Sequence, residues 1–217
     1  MKIIDIDQNT PEWIEFKKGK VGGSGLKDIV TERGNSVKIG VYRLLADRVA
    51  TDEDIDDWRA RGHMLEVEAI DLFVDASGID LTNKKQVWQS TENPSMIVSP
   101  DAYDSKKKPK VAVEVKCLSA PYHLEAILDF AATVKEKKLV LSNKVPSGFK
   151  HQILQYFIVN EALEELHMVF YNPSVESLPM HVISVFREDV AEDIEYYRDA
   201  ESQVIANVEL IAEVMTF

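Results

Sequence analysis

Three residues in the middle of the chain have the types and spacing for phosphodiester chemistry: Asp101, Glu114 and Lys116. Asp101 closes the triplet Ser99-Pro100-Asp101, and Glu114-Val115-Lys116 follows thirteen residues later. The stretch from Val111 to Leu118 is rich in β-branched residues and reads as a strand. Alternate side chains of a strand share a face, so Glu114 and Lys116 point one way and Val113 and Val115 the other. Asp101 is expected at the end of the preceding strand. Two carboxylates and an ammonium meeting at a sheet edge could hold Mg²⁺, which prefers hard oxygen ligands. Such an ion polarises a phosphate and lowers the pKa of a bound water, while a lysine orients or deprotonates that water. The spacing is short enough to arise by chance. An Asp before a strand is often a turn residue, and a Glu/Lys pair is often a solvated edge.

Other residues could complete such a site. In the helical stretch Gly62-His63-Met64-Leu65-Glu66-Val67-Glu68-Ala69, Glu66 shares a face with Ala69, Ile70 and Phe73. A carboxylate on an apolar edge needs a partner, because burying it alone is costly. A metal or an arginine would serve. Glu68 falls with Asp71 and Asp75 and is expected in solvent. Further on, Gln152 and Gln155 lie one helical turn apart, beside Tyr156, on an otherwise apolar segment. Two such amides could satisfy each other, cap a loop, or bond to a water or a phosphate. Near the N-terminus, Gly22-Gly23-Ser24-Gly25 precedes a short helix, with Lys17, Lys18 and Lys20 just before it. It lacks the ending of a Walker loop and follows a helix instead of a strand, which argues against a dinucleotide fold. Backbone amides and Ser24 at a helix N-terminus could still bind one phosphate. Cys117 points away from Lys116 and reads as core, and the five histidines show no ligand spacing.

The elements that must position these residues follow from the pattern. Thr10-Pro11 caps and opens a first helix that ends at Gly19. Helices are expected over 38–50 and about 54–77, the latter stopped by Gly78. Strands follow at about 85–90, 95–99 and 111–118. Pro121 starts a helix to about 131, and another runs over about 149–163. Strands near 165–171 and 180–186 lead into one long C-terminal helix. Its seam, Val190, Ile194, Tyr197, Glu201, Val204, Val208, Ile211 and Met215, is apolar except at Glu201. The seam is expected to pack on the chain's own sheet, with a subunit interface as an alternative. The order suits a single α/β domain: an N-terminal helical part (1–80), a core (81–186) with a central mixed sheet flanked by helices, and the C-terminal helix (187–217).

A chain of 217 residues, 45% hydrophobic, can bury a sizeable core. With one cysteine it excludes an internal disulfide and a cysteine-based zinc site. No apolar run is long enough for a membrane span, and no signal peptide is evident, so a cytoplasmic location is expected. The net charge of −12 looks wrong for a DNA-binding protein. Its distribution answers part of that objection. Residues 51–80 hold ten acids and two bases, and residues 187–217 nine acids and two bases. Residues 105–150 hold ten bases and four acids. A basic middle between acidic flanks fits a DNA channel, and it also fits plain solubility.

In this order the residues resemble the phage lambda-type exonucleases (viral recombinase nucleases) of the PD-(D/E)XK superfamily. The likeness runs from about Trp13 to Pro173. Trp13-x-x-x-Lys17-x-Gly19-x-x-x-x-Ser24 is similar to the opening motif, in which a basic and a hydroxyl residue meet the terminal phosphate. The family usually has Arg where Lys17 stands, so bidentate geometry is lost and charge kept. Gly62-x-x-x-Glu66-x-x-Ala69 resembles the helix that supplies an additional carboxylate. Ser99-Pro100-Asp101 and Glu114-Val115-Lys116 match the core motif, and Gln155-Tyr156 is similar to the glutamine helix. The family often has its two glutamines two apart, whereas here they are three apart, which leaves open whether Gln152 or Gln155 faces the metal.

The resemblance implies a restriction-endonuclease-like core and Mg²⁺-dependent cleavage, with two ions and Mn²⁺ as a possible substitute. Asp101 would bridge the ions, Glu114 and the Val115 carbonyl would complete one site, and Glu66 would serve the other. Lys116 would activate the water, and Gln152 or Gln155 would orient it. Ser99 would stand with Lys17 and Ser24 on the DNA side, and Trp58 would be an apolar wedge. The enzyme would digest one strand of linear duplex DNA from its 5′ end, leaving a 3′ strand for recombination. A ring, typically a trimer, a single-strand annealing partner and a phage or prophage origin in a bacterial host complete the implication. Two rivals stand beside it: an endonuclease or single-strand nuclease with the same metal residues, and an acidic, non-enzymatic binding protein in which Asp101, Glu114 and Lys116 need not converge.

Overall fold

The computed structural model describes residues 10–17, 39–50, 58–84 and 86–215. By their contacts they group into two compact units. One takes in the chain up to Trp58 together with Cys117–Ser142 and Phe170–His181; the other comprises Arg59–Lys116, Asn143–Val169 and Val182–Phe217.

In the first unit, α1 (Pro11–Lys17) starts on its proline, and the Ile14 N–H returns to the Thr10 carbonyl at 3.0 Å. Helix α2 (Ile39–Val49) turns Tyr42 and Ala46 inward and packs on α4 (Ala120–Ile127). The single helix expected from Pro121 to about 131 is two. Leu128 leaves the helical path to bridge Leu141, and Asp129 caps the next helix, α5 (Phe130–Glu136), by accepting from the Ala132 N–H at 3.1 Å. An N-cap carboxylate satisfies an orphan amide, so the interruption costs little. Buried His123 donates to the Leu178 carbonyl at 2.8 Å, and Asn172 donates to the Leu118 carbonyl at 2.8 Å. These bonds fasten segments distant in sequence.

The second unit carries α3 (Trp58–Ser77) from its second residue onward, and the helix ends as expected at Gly78. That residue has φ +69°, and its N–H bonds back to the Val74 carbonyl at 2.8 Å. A glycine adopts this left-handed turn at no steric cost. The strands are β1 (Leu81–Thr82), β2 (Trp88–Gln89), β3 (Ile97–Val98), β4 (Ala102–Asp104), β5 (Val111–Lys116), β6 (Glu165–Tyr171) and β7 (Met180–Phe186). Five form a sheet in the order β1-β4-β5-β6-β7, and β2 and β3 pair apart as a short ribbon. The fold is mixed α/β, with a long C-terminal helix, as the sequence led us to expect.

Two expectations about the strands change. Asp101 does not end the strand before it; it stands in the connection from the β2–β3 ribbon to β4, a strand too short to show in the sequence. Strand β5 is the middle strand of the sheet, not an edge, and Ala112, Val113, Glu114 and Val115 are all buried. The solvated-edge reading of Glu114 is therefore excluded.

Helix α6 (Lys150–Val159) follows a 3₁₀ turn at Ser147–Phe149 and stops sooner than expected, at Asn160. Arg187 secures that end: its guanidinium donates to the carbonyls of Phe157, Asn160 and Leu163 at 2.7–2.8 Å. A cation there satisfies the last carbonyls of the helix and opposes its dipole. Helix α7 (Ala191–Met215) packs only in part. Ile194 is buried, but Val204, Val208 and Ile211 are 62%, 59% and 57% exposed, so the seam does not lie on the chain's own sheet along its length. Among the described residues no helix is long and apolar enough to cross a membrane.

Candidate active site around Glu114

Strands β4 and β5 pair antiparallel, with Ala102 opposite Val113 and Tyr103 opposite Ala112. This register sets Asp101, just before β4, beside the C-terminal half of β5. The Asp101 N–H donates to the Val113 carbonyl at 3.2 Å, and the Val115 N–H donates to Asp101 Oδ2 at 2.8 Å. Asp101 is thus pinned next to Glu114 by backbone at both ends. What the structure gives for Val115 is this N–H, with its side chain buried.

Glu114 is 6% exposed, and three side chains converge on it. Lys116 Nζ and Gln152 Nε2 both donate to Oε1, each at 2.7 Å, and the Tyr156 hydroxyl donates to Oε2. Burying a bare carboxylate would cost several kcal/mol, and charge-assisted hydrogen bonds offset that cost. The Lys116 ammonium also lies 5.3 Å from the centre of the Phe149 ring, within cation–π range. Its side chain is 19% exposed, so the pair meets solvent at one end only.

Tyr156 is fully buried, and its hydroxyl oxygen also lies 3.1 Å from the Ser99 carbonyl. Burial, followed by the negative charges of Glu114, Asp101 and Glu66, pushes its pKa far up, so it stays a neutral donor. Three carboxylates, from α3, β5 and the connection before β4, therefore act on one hydroxyl. Glu66 is half-buried on α3, on the face of buried Ala69, Ile70 and Phe73, whereas Glu68 is exposed.

The two glutamines part company. Gln152 reaches Glu114, while Gln155 donates to Glu201 on α7 at 3.0 Å. Gln155 is therefore not at the carboxylate cluster. The polar break in the α7 seam at Glu201 marks its partner. Ser99 has an exposed side chain and takes part through its carbonyl. Ser24 lies outside the described residues; Lys17 ends α1 and Trp58 begins α3, and their side chains lie outside the description too. The residue that sequence reasoning named without giving it a role is Tyr156. Its signal was present, since Gln152 and Tyr156 are four apart and share a helix face.

Among the described residues no three His, Cys, Asp or Glu side chains form a ready-made cage for an ion. Zinc or calcium would want such a cage. Mg²⁺ is usually held by one or two carboxylates, waters and substrate phosphates, and Asp101 with Glu114 offers that donor set.

No curated protein matches the chain in sequence. Among solved structures, an alkaline exonuclease (LHK-Exo) from Laribacter hongkongensis matches with a TM-score of 0.54 at 18% identity. The match covers 95% of this chain and 98% of that one. The same nuclease in complex with dAMP matches equally. At this identity the likeness establishes a shared fold. The YqaJ-like viral recombinase domain, in contrast, matches by sequence over residues 12–162, which span Glu66, Asp101, Glu114, Lys116 and both glutamines. The chain belongs to the YqaJ-like viral recombinase family.

Proposed function

We propose that the protein is a Mg²⁺-dependent exonuclease that digests one strand of linear double-stranded DNA from its 5′ end, leaving a 3′ single strand for recombination by annealing. Its family and fold support a nuclease role. Metal, polarity and end preference are the finer content of the proposal. The observation that carries it is the convergence on Glu114: Asp101 held on the Val115 N–H at 2.8 Å, with Lys116 and Gln152 on Oε1 at 2.7 Å. An acidic binding protein without catalysis would have no reason to bring these four side chains together.

Asp101 and Glu114 would hold a divalent cation; Glu66, whose charge reaches Tyr156, and the Val115 carbonyl are further candidate ligands. When bound, the cation supplies positive charge to the phosphate and acidifies a water. The chain's own side chains do the rest. Lys116 would orient the nucleophilic water, and its positive charge would favour that water's loss of a proton. Gln152 keeps an amide carbonyl to accept a second hydrogen bond from that water. Tyr156, held neutral, fixes the Glu114 carboxylate without competing as an anion. Lys17 and Ser24 are proposed to meet the terminal 5′ phosphate. Trp58 is proposed as the wedge, and Ser99 as a contact on the DNA side. A ring of copies and an annealing protein as partner belong to the same reading.

The test is digestion of end-labelled linear duplex carrying a 5′ phosphate, a 5′ hydroxyl or a blocked end, beside covalently closed circles. Mg²⁺-dependent loss of nucleotides from the 5′ end, abolished by EDTA, is expected. Cleavage of closed circles at a comparable rate would favour an endonuclease instead.

A further inference from the structure

The β4–β5 hairpin has a second end, and it is built quite differently. Its turn runs Ser105-Lys106-Lys107-Lys108-Pro109-Lys110. Buried Asp104 organises the turn: Oδ1 accepts the Lys110 N–H at 3.0 Å, and Oδ2 faces the Lys106 ammonium at 3.0 Å. Lys110 is paired with Glu164. Lys107 and Lys108 have no carboxylate partner among the described residues. Both line a groove of about 380 Å³ whose walls include Trp88, Gln89 and Asn160. Lys107 and Trp88 also line a second groove, of about 370 Å³, that runs past Tyr103 and Lys106. The two hollows share Trp88, Lys107 and Pro109, so they lie side by side at the hairpin tip, and a strand crossing the tip would pass both, a track in that sense.

We propose that this track, with Lys107 and Lys108 at its rim and Trp88 in its wall, binds single-stranded DNA beyond the cleavage site. Unpaired ammonium groups above an aromatic wall are the chemistry that holds a single strand: phosphates meet the lysines and a base stacks on the indole. Each hollow is too small for a duplex. The indole meets Tyr103 and Tyr156 at 71° and 85°, so neither ring lies flat against it. Glu161 is the acid in the wall; burial lowers the Arg187 pKa, and the nearby charge of Glu161 pulls it the other way. The lysines stand apart from the chemistry, whereas Trp88 packs on Tyr156, whose hydroxyl bonds to Glu114. From Glu114 back to Val111 is about 10 Å at ~3.4 Å per residue, and the lysines lie beyond. A strand leaving the catalytic end would have this surface to follow.

That the strand is DNA rests on the proposed nuclease reading; the binding chemistry does not. The full-length protein in EDTA is titrated with a short fluorescein-labelled oligothymidylate, and anisotropy is followed across salt concentrations. Joint replacement Lys107→Ala/Lys108→Ala is expected to weaken binding about tenfold and to reduce the salt slope by about 1.4, since each phosphate contact on a single strand contributes about 0.7. Lys107→Arg/Lys108→Arg should retain affinity. Exposed lysines of the other unit, replaced in Lys135→Ala/Lys138→Ala, should leave it unchanged. Oligothymidylate should quench tryptophan emission, and Trp88→Phe should remove most of that quench. Unchanged affinity and slope in the double alanine variant, or an equal loss in the Lys135/Lys138 control, would overturn the proposal. So would binding of dTMP as tight as that of the oligomer. Wild-type protein that binds the oligomer through Lys107 and Lys108 yet cleaves no duplex in Mg²⁺ would refute the nuclease reading alone.

Discussion

Helix α6 has two polar faces with opposite tasks. One, formed by Gln152 and Tyr156, bonds to buried Glu114. The other, formed by His151 and Gln155, meets α7, where the His151 and Tyr197 rings lie 5.1 Å apart and Gln155 bonds to Glu201. Each pair is spaced by four residues, so each forms a single stripe one turn long. The glutamines are three apart, and that offset moves Gln155 off the stripe that meets Glu114 onto the one that meets α7. Residue type says little about role on this helix; angular position decides it.

The largest effects should come from the face that meets Glu114, the proposed catalytic group. Gln152→Ala is expected to lower kcat by about 10²- to 10³-fold, as loss of one preorganised donor does elsewhere, with the fold intact by circular dichroism. Tyr156→Phe removes one donor from a buried carboxylate. A hydrogen bond to a charged group is worth about 1.5–3 kcal/mol, so a loss of about tenfold to a hundredfold is expected in single-turnover cleavage. If Gln155→Ala proved as damaging to kcat as Gln152→Ala, the assignment of the two faces would be reversed.

The structural face should respond in stability instead. Gln155→Ala or Glu201→Ala removes a half-exposed hydrogen bond worth about 1 kcal/mol, which lowers Tm by about 2–4 °C in a chain of this size. Activity at 25 °C should change by less than about fivefold, the factor that 1 kcal/mol represents. A double-mutant cycle on the pair should show coupling, because the two side chains touch.

The smallest effect lies off both faces. His167 on β6 packs against Phe73 with ring centres 4.9 Å apart, and its Nδ1 lies 2.8 Å from the Ser184 hydroxyl oxygen. Burial lowers its pKa below the ordinary 6.5, against the opposing pull of Glu165. The unfolded chain therefore takes up this proton at a higher pH than the folded one. The contribution to stability is present above about pH 6.5 and is lost as pH falls below it. Urea midpoints measured between pH 7.5 and 5.5 should decline, and His167→Gln should flatten part of that decline.

Much of this was legible in the sequence where one local signal sufficed. Gly78 ended α3 because only a left-handed turn closes that helix, and Pro11 opened α1. Glu66 was placed on its buried face by offsets of three, four and seven. The failures have physical causes as well. The break at Leu128 depends on a bridge to Leu141, thirteen residues away, which no window of helical periodicity contains. Strand β4 is three residues long and exists because β5 and β1 flank it. The seam of α7 was periodic, but periodicity reports an apolar stripe and not what covers it. Tyr156 was named beside the glutamines but given no role, because its partner Glu114 lies 42 residues away in sequence.

The central claim is that the group centred on Glu114 performs metal-dependent DNA cleavage. The most direct measurement is nucleotide release from end-labelled linear duplex in Mg²⁺ by the wild-type protein and by Lys116→Ala, with binding to the same duplex measured in EDTA. The account expects cleavage to be lost in the variant while duplex affinity stays within about threefold, the loss of at most one exposed contact. Substantial Mg²⁺-dependent cleavage by Lys116→Ala would contradict it.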